Sequence, residues 1–563
     1  VSKIDFWQIG CFALALLIAT PLLGTYMAKV FSGEQHFLRA ILRPFENFVY
    51  RIAMINTAEN MNWKRYSSAL VFLSILGFLT TFLLQIFQNF LLFNYQNLPG
   101  VAWPVALNTA ISFVTNTNWQ AYAGENTLSY TTQALGLGVQ NFLSPAIGFA
   151  VLLALIRGLL HKENNLLGNF WVDITRMIIY VLLPLASIMA ILLISQGVIQ
   201  NFSPYIIATT FENITQIIPM GPVASQEAIK QLGSNGGGFF GANSAHPFEN
   251  PTSFTNFLSM LAMMLIPAAS VYMFGILTKS LKHATAIYTV MILTLGIFII
   301  TGTYEEQKFN YTLNLSENLE GKETRFGVTN SVLWAMATTA TSNGSVNSMH
   351  DSLSPLTGGL ALLQILLGEI IFGGVGSGLY GMLLYVLLAV FLCGLMIGRT
   401  PEYFGKKIEA FEIKLVLIAL LLPSAVVLLG SSLTLLIPSA LASLSNGGPH
   451  GLTEILYAWG SVANNNGSAF AGLNSNTLFY NLAFSLAMLL GRFGVIIPVL
   501  AIAGSLGGKK VLHNEKSSFS IHGLTFVSVL VAVIFLVSAL TFMPALVLGP
   551  VAEYFLMDMG VSF

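Results

Sequence analysis

The sequence predicts an all-α polytopic membrane protein of about ten transmembrane helices, with four span, pore-loop, span repeats around a central pore. Three observations predict it: too few charges for a water-facing surface, ten long apolar stretches, and four outer loops of one unusual composition. Of 563 residues, 55% are hydrophobic and only 9% charged, and the mean hydropathy is +0.74. A soluble domain carries roughly 25% charged residues. The 24 basic and 24 acidic residues balance, so nothing points to a nucleic-acid partner. Cys11 and Cys393 lie in separate apolar runs, where neither a disulfide nor a thiolate metal site is expected.

A bilayer core takes about 20 apolar residues per helix. Such stretches run over 6–30, 67–94, 136–160, 171–199, 253–278, 283–303, 357–398, 413–441, 477–506 and 522–547. The first is too long for a signal-peptide core of roughly 7–15 residues and reads as a retained span. The seventh is too long and too rich in glycine for one plain helix, and an unwound segment inside it is expected. Eighteen Lys and Arg fall in 29–65, 157–176, 279–282, 399–414 and 509–516. The alternating loops, 95–135, 200–252, 304–327 and 442–476, hold four: Lys230, Lys308, Lys322 and Arg325. Positive charge marks the cytoplasmic side. Both termini are therefore expected outside.

Each of those four outer loops has a helix-length approach, a cluster of Asn, Gly, Ser or Thr, and then the next span. The approaches are Leu107–Thr115, Ser225–Leu232, Asn330–Ala340 and Thr453–Val462. The clusters are Thr115, Asn116, Thr117 and Asn118; Asn235, Gly236, Gly237 and Gly238; Thr341, Ser342, Asn343 and Gly344; and Asn464, Asn465, Asn466 and Gly467. One pattern at near-regular spacing, always on one side, reads as four parallel repeats. The expected division is 66–165, 166–280, 281–410 and 411–508, flanked by an extra span and loop in 1–65 and an extra span in 509–563.

Loops of this kind suit a dehydrated cation, which needs a ring of oxygens in place of its water. Carbonyls that point successively at one axis require some positive φ values. Glycine adopts these freely and Asn tolerates them. Gly238, Gly344, Gly467 and Asn118 are the expected equivalents. Each approach helix would turn its negative C-terminal end to the cavity. The clusters contain no carboxylate, which favours a monovalent ion over Ca²⁺ or Mg²⁺.

The stretches Asn108–Tyr130, Pro219–Thr252, Gly368–Gly381, Gly398–Lys407 and Tyr457–Gly472 resemble the KdpA family, the channel-like K⁺-binding subunits of bacterial Kdp potassium-transporting ATPases. The resemblance covers nearly the whole chain. It implies the K⁺-transporter superfamily fold, with the four clusters as a K⁺ selectivity filter of backbone carbonyls. It implies work in the bacterial inner membrane beside an ATP-hydrolysing P-type subunit (KdpB), a single-span subunit (KdpC) and a small peptide (KdpF). K⁺ is then the transported ion, with no organic cofactor. The alternative is a stand-alone Trk/Ktr-type transporter that shares the pore. An intrinsic enzyme is not expected, because the chain has no Asp-Lys-Thr-Gly motif, P-loop or metal triad.

Other residues have two readings each. Glu369 and Arg492 are ionisable groups within spans, where charge is costly and usually functional; an internal ion pair is the bland alternative. Gln120 fits either a pore group or a structural hydrogen bond. Gly373, Gly374, Gly376, Gly378 and Gly381 crowd the seventh stretch, as a gate beneath the filter or as close helix packing. His246, His350 and His450 make no metal spacing and read as exterior loop residues. The charges of 399–407 read as topogenic, or as a contact with a pump subunit.

Overall fold

Side-chain caps set where the long helices begin. Asn62 accepts the Arg65 amide at 3.0 Å, Asn169 accepts Trp171 at 3.0 Å, and Thr477 accepts Tyr480 at 3.3 Å. Thr252 and Thr255 cap each other's backbone reciprocally. The computed structural model describes residues 3–308, 316–511 and 519–561; Lys516 of the basic segment 509–516 lies outside them, as do both chain ends.

The described residues are mostly helical, and ten helices are long and apolar enough to cross a membrane. In chain order the helices are α1 (Lys3–Ser32), α2 (Arg39–Ile52), α3 (Trp63–Ile86), α4 (Trp103–Val114), α5 (Thr132–Leu160) and α6 (Phe170–Ser195). Next come α7 (Val223–Leu232), α8 (Ser253–Leu277), α9 (Leu281–Glu306), α10 (Gly327–Ala340), α11 (Pro355–Leu366) and α12 (Ser377–Ile397). The last are α13 (Ala410–Leu436), α14 (Gly448–Ala463), α15 (Leu478–Gly507), α16 (Leu524–Leu546) and α17 (Ala552–Asp558). The short helices α4, α7, α10 and α14 each follow one span and precede another. That is the span, pore-loop, span pattern, four times over.

The expected break in the seventh stretch is present, and two other elements differ from expectation. The seventh stretch is two helices, α11 and α12, separated by a non-helical segment at 367–376, so only α12 is long enough to cross. Helix α2 was read as plain loop. It buries Glu46 against Arg176 (3.0 Å), Tyr50 (2.7 Å) and Tyr180 (2.6 Å), while Phe37, Ile41, Phe45 and Phe48 stay exposed along an adjacent stripe. An apolar stripe beside a basic face suits a helix lying in the headgroup layer.

The second difference is Lys406. In the hairpin that pairs Glu402–Tyr403 with Lys406–Lys407, its ammonium turns inward and is fully buried. It donates to the Gly158 carbonyl at 2.7 Å, to Leu506 at 2.8 Å, and to His161. These are carbonyls at or beside the ends of α5 and α15, which lack intrahelical partners and carry the negative end of the helix dipole. Lys406 therefore ties together the spans that follow the first and fourth loops. It is no mere topogenic charge.

Lys406→Met should remove the charged donor from all three carbonyls, leaving Leu506 only the Lys509 amide at 3.2 Å. Hydrogen bonds to a charged group contribute about 1.5–3 kcal/mol each, so the unfolding midpoint in detergent should fall by several degrees. Lys407→Met, at an exposed neighbour, should stay within about 0.5 kcal/mol of wild type. Equal midpoints for the two variants, measured by thermal-shift fluorescence, would refute the clasp.

Candidate functional site

The four short helices end inside the bundle in one repeated turn. Their C-terminal caps are Thr115, Gly233, Thr341 and Asn464. The next residue in each has positive φ: Asn116 at 66°, Ser234 at 50°, Ser342 at 54° and Asn465 at 62°. The amide after that reaches back five residues. Thr117 bonds the Ser112 carbonyl at 2.9 Å, Asn235 bonds Lys230 at 2.9 Å, Asn343 bonds Thr338 at 3.2 Å and Asn466 bonds Ser461 at 2.8 Å.

This turn corrects the expected register. Asn118 (φ 57°), Gly344 (85°) and Gly467 (94°) are left-handed, but Gly238 is not. Counting from the turn, the residue equivalent to them in the second loop is Gly236, which is not left-handed either. Gly238 is glycine for a different reason: a methyl there would lie 2.8 Å from Asn243 Nδ2 and 3.1 Å from the Phe240 carbonyl. Ser234 belongs to the loop and was missed. The signal for it was available, because Gly233 and Ser234 follow the helix end as Thr115 and Asn116 do.

Neighbouring loops touch all the way round. Asn116 Nδ2 donates to the Ser234 carbonyl at 2.9 Å, and Ser342 Oγ donates to the Asn465 carbonyl at 2.9 Å. Asn465 Nδ2 donates to Thr117 Oγ1 at 2.9 Å. A methyl on Gly236 would sit 2.8 Å from the Asn343 carbonyl oxygen and 3.2 Å from that of Asn466. On Gly344 it would overlap the Asn466 carbonyl, and on Gly467 the Thr117 carbonyl. The result is a closed ring of backbone oxygens, amides and hydroxyls, faced by four helix C-termini. A neutral oxygen-rich ring under negative helix ends attracts a monovalent cation.

Side chains outside the ring hold it. Asn141 on α5 accepts Asn118 Nδ2 at 2.6 Å with its side chain and Asn235 Nδ2 at 2.9 Å with its carbonyl. Ser144 donates to Asn116 Oδ1 at 2.7 Å. Gln120 braces the second loop, accepting the Gly238 amide at 2.9 Å. Gly237 packs against Phe113, whose Cζ a methyl would approach to 2.7 Å. Lys230, buried and paired with Glu227 at 2.8 Å and with Glu249, donates to Asn243 Oδ1 at 3.1 Å; Asn243 Nδ2 donates in turn to the Gly236 carbonyl at 2.9 Å.

Beneath the ring lies a cavity of ≈ 80 Å³, lined by Ser342, Glu369, Ser377, Tyr380, Asn464 and Arg492 among others. The 367–376 segment bounds it. The Gly373 amide bonds the Ala340 carbonyl at 3.0 Å, so this segment caps the third pore helix. Gly373 (φ 67°) and Gly376 (φ 78°) require glycine's backbone freedom. Gly374 lies under the third loop, a methyl there being 3.4 Å from Ser342 Cβ. Gly378 packs back on Phe372, and a methyl on Gly381 would meet Ile370 at 3.2 Å. Across the segment, Gly148 of α5 comes so close that a methyl would stand 2.6 Å from the Val375 carbonyl. Glu369 is 3% exposed and faces Ser342 and Asn466, yet accepts no hydrogen bond from them at ordinary distance. Arg492 is buried, with Nη2 donating to the Ser144 carbonyl at 2.8 Å. Glu369 and Arg492 form no ion pair with each other among the described residues.

The three histidines expected in exterior loops are packed instead, because the outer loops fold down onto the pore helices. His246 stacks on Phe240 with ring centroids 3.8 Å apart. His350 is 1% exposed, its Nδ1 2.8 Å from the Tyr457 hydroxyl. His450 is held between two carboxylates.

Residues 10–555 match the family model described as potassium-transporting ATPase A subunit, KdpA. A potassium-transporting ATPase potassium-binding subunit of Leptospira interrogans is 52% identical over 563 residues, covering 99% of this chain and 100% of the relative. Its counterpart in Pseudomonas fluorescens is 51% identical, covering 98% of each chain. Among solved structures, the potassium transporter TrkH from Vibrio parahaemolyticus aligns with TM-score 0.52 at 14% identity, over 88% of this chain and 98% of that one. The TrkH likeness shows a shared fold.

The register makes a prediction that separates the glycines. Serine at Gly236, Gly344 or Gly467 should impair discrimination among K⁺, Rb⁺ and Na⁺ severely, whereas Gly238→Ser should have an effect at least several-fold smaller. Cation-stimulated ATPase activity of the assembled system, titrated with each ion, measures this. Loss of discrimination confined to Gly238→Ser would restore the alignment expected from sequence.

Proposed function

The chain belongs to the KdpA family, and from that premise we propose that it selects K⁺ from outside the cell and delivers it to an ATP-hydrolysing partner. The observation that carries this reading is the closed ring built from four copies of one turn. Its members would be Thr115–Asn118, Ser234–Gly236, Thr341–Gly344 and Asn464–Gly467, with Gln120, Gly237 and Gly238 as bracing. No nucleotide or phosphorylation motif occurs in the sequence, so energy must enter through another subunit. The relatives are named for a potassium-transporting ATPase, which supports that assembly. The partners are a P-type ATPase subunit (KdpB), a single-span subunit (KdpC) and a small membrane peptide (KdpF), in the bacterial inner membrane with both termini outside.

The segment 367–376 and Arg492 then act as the barrier below the filter. Non-helical backbone is tolerable there because it borders an internal cavity rather than lipid. The segment obstructs a straight path across the membrane, and the Arg492 guanidinium adds positive charge to the same route. K⁺ is thereby turned sideways toward the pump subunit. The free Glu369 carboxylate, close under the ring, offsets the cost of holding a cation in that cavity.

A stand-alone channel-like transporter would share the fold, as TrkH does. Co-purification distinguishes the two, since only the proposed assembly retains a large ATPase partner. Passive K⁺ flux into liposomes, with pumping inactivated, tests the barrier. Shortening Gly373–Gly378, or Arg492→Gln, should open a leak that needs no ATP. Variants that stay tight and pump normally would exclude both elements as a gate.

A further inference from the structure

Away from the ring, the outer face gathers four ionisable side chains from three distant parts of the chain. Asp351 lies in the single turn His350–Ser352, His450 and Glu454 lie on the first turns of α14, and Glu553 lies in α17. One oxygen each from Asp351 and Glu454 and one ring nitrogen of His450 lie within 4.8 Å of one another. His450 Nε2 is 3.0 Å from Asp351 Oδ1, and Nδ1 is 2.7 Å from Glu553 Oε1. Asn446 Nδ2 donates to Glu454 Oε1 at 2.7 Å and to Asp351 Oδ2 at 3.2 Å.

Two observations show that these contacts leave the cluster incomplete. Glu454 is fully buried and its Oε2 has no hydrogen-bond partner. A buried carboxylate oxygen left unpaired is costly. Three carboxylates also gather around one imidazole. Gly472 keeps the space open: a methyl there would lie 2.8 Å from Asp351 Oδ1 and overlap the Glu454 carboxylate.

We propose that Asp351, His450 and Glu454 bind one divalent first-row cation of the zinc type at the outer face. Zinc takes His nitrogen and carboxylate oxygen at about 2.0–2.2 Å, which puts its donors roughly 3–3.6 Å apart. Shifts of under about 1 Å bring the three atoms to that spacing. Glu553 acts as the positioning residue. By accepting the Nδ1 proton it fixes the tautomer and leaves Nε2 to the metal, the usual partnership of a ligating histidine. Mixed nitrogen and oxygen donors favour Zn²⁺ over Ca²⁺, which prefers oxygen alone.

The bound ion would cross-link the loop after the third pore turn, the start of the fourth pore helix and the C-terminal helix.

The test uses the purified transport complex, stripped with a chelator and titrated with Zn²⁺, Mn²⁺ or Ca²⁺. One Zn²⁺ per chain should bind at micromolar or tighter affinity, with Ca²⁺ at least a hundredfold weaker. The unfolding midpoint should rise by several degrees. Glu454→Gln and His450→Gln should abolish this increment, while Glu553→Gln should weaken binding by about 10–100-fold. Wild-type complex that takes up no Zn²⁺, or no more than Glu454→Gln does, overturns the proposal. Should either variant fail to fold, the wild-type zinc stoichiometry still decides.

Discussion

Lipid offers no hydrogen bonds, so any stretch of non-helical backbone inside a membrane protein must be satisfied by the protein itself. That constraint governs this molecule, because its described residues include four pore turns and the break at 367–376. Each turn satisfies its first free amide through the same five-residue reach back to its own helix. The loops then serve one another, with Asn116 on Ser234, Ser342 on Asn465 and Asn465 on Thr117. The break does the same for the third pore helix, since Gly373 occupies the Ala340 carbonyl. The ring of turns and the break are therefore one hydrogen-bonded unit, and neither can move far without unpairing the other.

Helix α5 is the strut on which that unit rests. Along its length it presents Asn141 and Ser144 to the ring, Gly148 to the 367–376 segment, and the Gly158 carbonyl to Lys406. Arg492 on α15 bonds the Ser144 carbonyl, tying the same helix to the span after the fourth loop. Most buried charge outside the pore is paired, as in Lys230 with Glu227 and Glu249, or Lys322 with Glu306 at 2.8 Å. A buried charge that loses its partner is strongly destabilising. Glu369 stands apart because its buried carboxyl oxygens have no hydrogen-bond partner beneath the ring.

Much of this was legible in the sequence, for physical reasons. Hydropathy is read along one dimension, so the spans emerged within a few residues of their observed ends, except that the second ran past Ile86 and the seventh took in both α11 and α12. The four approaches to the loops emerged as well, because each is a helix-length stretch stopped by a polar cluster. The register of the second loop did not. A run of Asn and three glycines satisfies two alignments equally, and the deciding residue, Ser234, is not a glycine at all. Gly368–Gly381 signalled a break, but only coordinates show that Gly373 caps a helix while Gly378 merely packs. Lys406 looked like any loop lysine, since its partners are carbonyls of Gly158, His161 and Leu506, groups that every sequence position possesses. The Asp351, His450, Glu454 and Glu553 cluster was equally hidden, its members being joined by folding and by no local spacing.

The central claim is that the four turns form one cation site selective for K⁺. Imaging the purified complex at high resolution in K⁺ and in Na⁺ tests it most directly. The account predicts a cation on the ring axis beside the carbonyls of Thr117, Asn235, Asn343 and Asn466 in K⁺, and its loss in Na⁺. An empty ring in K⁺, or the same density in both salts, would contradict it.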